Sequence, residues 1–115
     1  MSDNYFKTGL ENLKKIDGTA GSIAPYLARY IIEFAFGQIY ERPGLSLQER
    51  ELLTLSSLLT AGGCEAQLQV HINAALHVGI KEEKIIEAFL HCIPYTGFPK
   101  VLNAVAVAGQ IFSGK

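Results

Sequence analysis

Glycine and proline divide this sequence into segments whose apolar residues recur at helical spacing. Strand signals are absent, because apolar and polar residues never alternate over a sustained run and no Asn-Gly or Asp-Gly turn joins two β-branched runs. Short connections between amphipathic helices are typical of a helical bundle. We therefore predict one all-α domain, residues 1–115, which is a single-domain bundle of about six helices.

The helix boundaries follow from capping and stop residues. Ser46-Leu47-Gln48-Glu49 predicts a capping box, in which the serine hydroxyl accepts from a helical N–H and the glutamate reaches back. Glycine commonly follows a helix end, and proline is tolerated in a first turn. The predicted helices cover residues 5–16, about 22 to about 40, 46 to 62–63, about 64 to 79, 81–93 and 101–112, with a rigid turn at 94–99.

The composition is apolar for a chain of this length. Hydrophobic residues make up 49% and charged residues 18%, below the roughly 25% of an average soluble domain. A small protein this apolar usually buries part of its surface against another subunit, so we expect a homo-oligomer. The formal net charge is −1, so there is no basic excess for nucleic-acid binding, and we expect no nucleic-acid partner.

The sequence also predicts a compartment. Residues 1–5 lack the basic and apolar regions of a signal peptide, and no apolar run approaches the ~20 residues needed to span a bilayer. The two cysteines, Cys64 and Cys92, are too few for a disulfide scaffold, and Cys92 is predicted to pack in an apolar helix end. We expect a cytosolic protein with reduced thiols and no membrane partner.

The most informative polar residues lie on the third and fourth predicted helices. The spacing i, i+3, i+7 puts Cys64, Gln67 and His71 on one helix face, and Glu51 falls within the apolar stripe of the preceding helix. A turn at Gly62-Gly63 folds the two helices antiparallel, which predicts a hydrogen bond between Glu51 and His71. Such a pair can transfer protons near neutral pH, or it can simply satisfy two buried polar groups.

Three further side chains have a functional and a structural interpretation. Cys64, in the first turn of its helix, is either a thiolate favoured by the helix dipole or a small hydrophobe. Arg42 and Arg50 either bind a substrate carboxylate or form solvated salt bridges. No metal site is predicted, because the three histidines lack ligand spacing and neither HExxH nor a CxxC pair occurs.

Aromatic residues recur along the second predicted helix. They are Tyr26, Tyr30, Phe34 and Phe36. Their spacing predicts a stripe that packs in the core or at an interface rather than forming the wall of a substrate site.

The order of several motifs resembles that of a known family. The motifs are Phe36-Gly37, Arg42-Pro43-Gly44-Leu45-Ser46, Glu49-Arg50-Glu51-Leu52, His71 with Ala74-Ala75, Gly79, Glu83 with Ile86 and Ala88, and Pro94-Tyr95-Thr96-Gly97-Phe98-Pro99. Over residues 22–112 the chain resembles the carboxymuconolactone decarboxylase family. The resemblance implies an alkylhydroperoxidase-D-like all-α fold, assembled as a ring-shaped hexamer that is a trimer of dimers.

The resemblance implies one of two chemistries. The hydroperoxidase branch uses a Cys-x-x-Cys pair, a histidine four residues on and an upstream glutamate, which match Cys64, Gln67, His71 and Glu51. Gln67 stands in place of the second cysteine, so a peroxidase cycle here would use a Cys64 sulfenic acid and an external thiol. The decarboxylase branch keeps the histidine and lacks the cysteine pair, as this chain does.

The decarboxylase branch implies a cofactor-free reaction on a small γ-lactone that carries carboxylates, because the lactone carbonyl accepts the charge left by carbon dioxide. His71 would transfer the proton or stabilise the enolate, and Glu51 would orient it. Arg42 or Arg50 would bind a substrate carboxylate, with Gln67 as a further substrate-binding residue. A carboxymuconolactone decarboxylase-like enzyme is the leading hypothesis. A thiol-dependent peroxidase of the peroxiredoxin type is the second, and a non-catalytic oligomeric binding protein the third.

Overall fold

A computed structural model describes residues 3–16 and 25–114. All regular structure in these two ranges is helical, which confirms the all-α prediction. The elements are α1 (Asp3–Ile16), α2 (Pro25–Tyr30), a π-helical segment (Ile31–Ile39), α3 (Leu47–Ala61), α4 (Glu65–His77), α5 (Glu82–His91), α6 (Ile93–Thr96) and α7 (Phe98–Ser113). None of the described helices is long and apolar enough to cross a membrane. The chain divides into two compact units, Met1–Leu47 and Gln48–Lys115.

In the first unit, α1 and the π-helical segment approach each other backbone to backbone. A Cβ atom on Gly9 would overlap the carbonyl oxygen of Ile32, and a Cβ atom on Gly37 would overlap that of Tyr5. Only glycine fits at such a contact, because it has no side chain to separate the two backbones. The two glycines therefore set the distance between these elements.

The second predicted helix changes type along its length. It is α-helical over Pro25–Tyr30 and π-helical over Ile31–Ile39, where the N–H of Tyr40 donates to the carbonyl oxygen of Ala35 at 2.9 Å. The sequence pattern missed this change because the apolar periodicity of so short a segment does not separate the two helix types. The predicted start near Ser22 lies outside the described residues.

The predicted aromatic stripe is only partly buried. Phe36 is 5% exposed, and its carbonyl oxygen accepts from the buried side chain of Asn12 on α1. Tyr30 and Phe34 are 61% and 55% exposed, so these two rings do not pack in the core, and interface packing stays a prediction for them. The side chain of Tyr26 lies outside the described residues.

The second unit is built around one apolar core. α3, α4, α5 and α7 each contribute residues that lie about one turn apart, and α7 packs against α4 and α5. The alanines of α7 that face the core are fully buried, which lets the helices approach closely. The core residues are Leu55, Leu59, Leu68, Ile72, Ala75, Ile80, Ile85, Phe89, Cys92, Val101, Ala104 and Ala108. Cys92 therefore packs as a small hydrophobe, as predicted.

Glycines end the helices of this unit at the predicted positions. Gly62 and Gly63 separate α3 from α4 with φ angles of 76° and 68°, and Gly79 follows α4 with a φ of 95°. These left-handed conformations strain any residue that carries a Cβ atom, so they favour glycine. The Gly62-Gly63 turn is the one that positions the candidate site described below.

The predicted rigid turn at 94–99 is wrong in its details. Residues Ile93–Thr96 form a single helical turn, Gly97 breaks it with a φ of 91°, and α7 begins at Phe98 rather than at Val101. Proline occurs in the first turn of each of these helices. The N–H groups of a first turn have no partner within the helix, so proline, which lacks an N–H, costs no hydrogen bond there. The two prolines therefore start helices here instead of excluding them.

We expect Gly9→Ala to destabilise the protein by on the order of 1–3 kcal/mol, because the added methyl group must displace backbone of the π-helical segment. Gly109→Ala in α7 is the matched control, since a Cβ atom there meets nothing within 4 Å. That control should be stabilised by ~0.5–1 kcal/mol through higher helix propensity. Urea denaturation followed by circular dichroism measures both, and a Gly9→Ala variant as stable as the control would contradict the close approach.

Candidate functional site

α3 carries a glutamate on its buried face. The helix begins at Leu47, directly after the serine of the predicted capping box. Glu51, Leu55 and Leu59 recur at intervals of four residues and are each at most 1% exposed. The prediction that Glu51 lies within the apolar stripe is thus confirmed. Burial of a carboxylate is unfavourable unless hydrogen bonds or an ion pair compensate for the lost water.

α4 places His71 at the edge of its own buried face. Leu68, Ile72 and Ala75 on this helix belong to the core. The side chain of His71, next to Ile72, is 20% exposed, and Gln67, one turn earlier, is exposed. His71 therefore has part of its ring against the protein interior and part open to solvent.

The predicted contact between these two residues is present. The His71 Nδ1 atom lies 2.8 Å from Oε1 of Glu51, within hydrogen-bonding distance. The bond joins α3 to α4 across the Gly62-Gly63 turn, and it gives the buried carboxylate a charge-assisted partner. The hydrogen bond is part of what compensates for the burial of Glu51.

This bond fixes the chemistry of the imidazole ring. The carboxylate of an ionised Glu51 has no hydrogen to donate, so we assign the shared hydrogen to Nδ1 of His71. In the neutral ring, Nε2 is then the nitrogen that accepts a proton. The arrangement suits general acid–base catalysis, because Nε2 can accept a proton and release it again while Nδ1 stays bound.

Cys64 lies one residue earlier in the helix than predicted. It is the N-cap of α4 rather than a first-turn residue, with φ −115° and ψ 35°. Its half-buried thiol donates a hydrogen bond to the carbonyl oxygen of Gly62 at 3.4 Å. The thiol is therefore oriented by the turn that joins α3 to α4.

The predicted substrate-binding residues occupy different environments. Arg50 precedes Glu51 on α3 and is buried at 9% exposure, whereas Gln67 on α4 is exposed. Arg42 is exposed and belongs to the unit Met1–Leu47. Among the described side chains, no three His, Cys, Asp or Glu residues are grouped so that they could hold a metal ion.

Two polar residues that the sequence patterns did not single out, Glu33 and Lys100, form defined contacts in the structure. Glu33, in the π-helical segment, is 1% exposed and forms an ion pair with Arg29, and an arginine four residues before a glutamate is a sequence signal for such a pair. On α7, Lys100 donates from Nζ to the carbonyl oxygen of Thr60 at 2.8 Å. Those two residues are 40 positions apart, so no local pattern indicates the contact.

The sequence was compared with those of known protein families. Residues 25–110 match the sequence profile described as the Carboxymuconolactone decarboxylase family. The chain belongs to the carboxymuconolactone decarboxylase family. The resemblance found in the motif order is therefore confirmed, together with the alkylhydroperoxidase-D-like all-α fold class.

Three known proteins share a quarter to two fifths of their aligned residues with this chain. A 4-carboxymuconolactone decarboxylase of Acinetobacter baylyi is 30% identical over 112 residues, which cover 97% of this chain and 78% of that protein. A nitrosuccinic acid decarboxylase of Metarhizium robertsii is 38% identical over 77 residues, 67% of this chain but only 53% of that protein. An uncharacterized 15.0 kDa protein of Paracoccus denitrificans is 26% identical over 92 residues, covering 79% of this chain and 69% of that protein.

We expect ¹⁵N NMR of histidine-labelled protein to show His71 protonated at Nδ1 in its neutral form, because Glu51 accepts that hydrogen. Glu51→Leu should move the ring toward the Nε2–H tautomer. His77 and His91, both exposed at helix ends, are internal controls whose signals should not change. A His71 ring that carries its hydrogen on Nε2 in the unaltered protein would contradict the assignment.

Proposed function

We propose that this protein is a cofactor-free decarboxylase of a small carboxylated substrate, with His71 as its acid–base residue. The observation that carries the proposal is the 2.8 Å hydrogen bond from His71 to the buried Glu51, made by a ring that is partly open to solvent. Membership of the carboxymuconolactone decarboxylase family supports it, as do the two relatives that are named decarboxylases.

The named substrates of those relatives indicate the substrate class. 4-Carboxymuconolactone and nitrosuccinic acid each combine carboxylate with a group that accepts electrons, a lactone carbonyl in one case and a nitro group in the other. When the carbon–carbon bond to the departing carboxylate breaks, its electron pair moves into that group and carbon dioxide leaves. The substrate itself thus supplies the electron sink, and the protein supplies binding, charge stabilisation and a proton.

His71 and Glu51 have separate roles in this proposal. Protonated His71 gives its Nε2 proton to the carbon that loses carbon dioxide and regains a proton from solvent. Glu51 acts through His71, since its carboxylate holds Nδ1 and stabilises the imidazolium form. Glu51 is therefore a positioning residue.

One arginine and one glutamine are proposed to bind the substrate. Arg50 or Arg42 would pair with a carboxylate that the reaction retains, because a guanidinium binds a carboxylate with two parallel hydrogen bonds. Gln67 lies one turn before His71 on α4 and is exposed, which suits an amide that contacts bound substrate.

The decarboxylase proposal predicts that the protein releases carbon dioxide from 4-carboxymuconolactone or from nitrosuccinic acid. His71→Asn should lower kcat by about 100-fold or more, because it removes the acid–base group. Glu51→Gln should lower kcat by about tenfold, the effect of weakening one charge-assisted hydrogen bond. Spectrophotometric and carbon dioxide assays measure both.

His77→Asn is the matched control, since it changes an exposed histidine at the last position of the same helix. It should retain full activity. Activity that survives in His71→Asn would remove His71 from the reaction. A protein with no decarboxylation of either compound would favour the peroxidase or the non-catalytic binding protein.

A thiol-dependent peroxidase is the second candidate, and the position of Cys64 favours it. The half-buried thiol lies at the N-cap of α4, on the helix that carries His71. The thiolate would attack one peroxide oxygen, which breaks the O–O bond and leaves a sulfenic acid and an alcohol or water. An external thiol would then reduce the sulfenic acid and restore Cys64.

Hydrogen peroxide distinguishes this candidate. If Cys64 is a peroxidatic thiol, treated protein should accumulate a sulfenic acid at Cys64, detected by dimedone labelling and mass spectrometry. Thiol-dependent peroxide consumption should disappear in Cys64→Ser. Cys92, which is buried in the core, serves as the internal control and should remain unlabelled. Equal labelling of the two cysteines, or none, would exclude a peroxidatic Cys64.

We also propose that the chain assembles with copies of itself, as the hexamer implied by the family resemblance requires. Large apolar side chains in the second unit are open to solvent, among them Tyr95 at 79%, Phe98 at 64% and Leu102 at 62% exposure. Phe98 and Leu102 lie one turn apart on α7, and Tyr95 lies on α6, just before Gly97. Burial of such residues against another subunit removes apolar surface from water.

A further inference from the structure

We infer that Lys100 is a positioning residue for the candidate site, and that it acts by fixing the turn between α3 and α4. Lys100 lies in the first turns of α7 and is exposed, far in sequence from Glu51 and His71. It belongs with them to the unit Gln48–Lys115. The proposed acid–base chemistry does not use Lys100 directly. We therefore derive the role of Lys100 from its contacts.

The first contact is between the ammonium group and the end of α3. Lys100 donates from Nζ to the carbonyl oxygen of Thr60 at 2.8 Å. The last four carbonyl groups of an α-helix have no partner within the helix, and a positive charge there also interacts favourably with the helix dipole. Lys100 therefore caps α3 from a helix that follows much later in the chain.

The second contact is between the lysine stem and the turn itself. A Cβ atom on Gly62 would lie 3.3 Å from Cε of Lys100 and 3.7 Å from its Cδ. The stem thus lies on the side of Gly62 where any other residue would carry a side chain, close enough that an added Cβ atom would press against it. Gly62 and Gly63, both at positive φ, fold compactly beside it.

The Gly62-Gly63 turn also orients the Cys64 thiol and the first turn of α4. The thiol of Cys64 bonds to the carbonyl oxygen of Gly62, and the carbonyl oxygen of Cys64 accepts the N–H of Leu68 at 2.8 Å in the first turn of α4. The path of the turn therefore sets the thiol position and the point at which α4 starts beside α3. A shift of that starting point would move His71 relative to Glu51, and an error of about 1 Å is enough to lose such a bond.

The inference rests on the proposed function only in its catalytic consequence. The geometric claim, that Lys100 holds the turn and through it the thiol and the His71–Glu51 bond, is independent of the reaction catalysed. The test therefore uses geometric readouts beside the catalytic one.

The test compares three substitutions in the full-length protein. Lys100→Met keeps an unbranched stem and removes the ammonium group, and Lys100→Arg keeps a positive charge and N–H donors. Lys84→Met is the matched control, an exposed lysine on α5. The readouts are amide hydrogen exchange at residues 62–68, the His71 ring ¹⁵N signals, the rate of Cys64 alkylation by iodoacetamide, and kcat and KM with 4-carboxymuconolactone and nitrosuccinic acid.

In Lys100→Met we expect exchange at residues 62–64 to become about fivefold faster, the effect of losing one exposed hydrogen bond, while core amides of α5 keep their protection. The His71 signals should shift toward the Nε2–H tautomer, and Cys64 alkylation should change several-fold. In Lys100→Arg, exchange, the His71 signals and Cys64 alkylation should stay close to those of the unaltered protein. Lys84→Met should resemble the unaltered protein in all three. If the protein is a decarboxylase, kcat should fall in Lys100→Met with little change in KM.

Unchanged exchange at the turn in Lys100→Met would overturn the inference, and so would equal loosening of all amides, which indicates a role in global stability alone. Exchange in Lys100→Arg as fast as in Lys100→Met would also overturn it. A protein that decarboxylates neither compound refutes the proposed function, whereas the exchange and His71 signals still decide the role of Lys100.

Discussion

Glu51 is a carboxylate with no exposure to solvent, and its hydrogen bond to His71 is the constraint around which the second unit is arranged. A buried carboxylate is tolerated only where donors replace water, so α4 must return beside α3 with the correct rotation. The Gly62-Gly63 turn makes that return short, and Lys100 holds the end of α3 at the turn. With the shared hydrogen assigned to Nδ1 of His71, the proposed acid–base chemistry uses Nε2.

The two proposed chemistries would use residues at and after the start of α4. Proton transfer needs only His71, held by Glu51, and a substrate that accepts its own electrons. Peroxide reduction needs the thiol of Cys64 in addition, together with a reductant from outside the chain. Gln67 stands where a second cysteine would make the thiol cycle self-contained, so the residues present favour proton transfer.

Sequence patterns predicted most of this arrangement where the relevant interactions are local. Helix ends at Gly62, Gly63 and Gly79 followed from glycine's tolerance of positive φ, and the place of Glu51 in an apolar stripe followed from a period of 3.6 residues. The π-helical segment escaped prediction because its periodicity over nine residues is close to that of an α-helix. The exposure of Tyr30 and Phe34 escaped it because a sequence does not say which aromatic residues face the interior.

Residue patterns along the chain were enough to predict the helical class, the approximate helix ends and the family, since each depends on residues close together or on an ordered set of motifs. They did not reveal the 2.8 Å distance from Nδ1 of His71 to Glu51, the bond from the Cys64 thiol to Gly62, or the contact of Lys100 with Thr60. The reason is physical: these contacts depend on helix rotation and on the path of a turn, which the whole core sets together and no local pattern encodes.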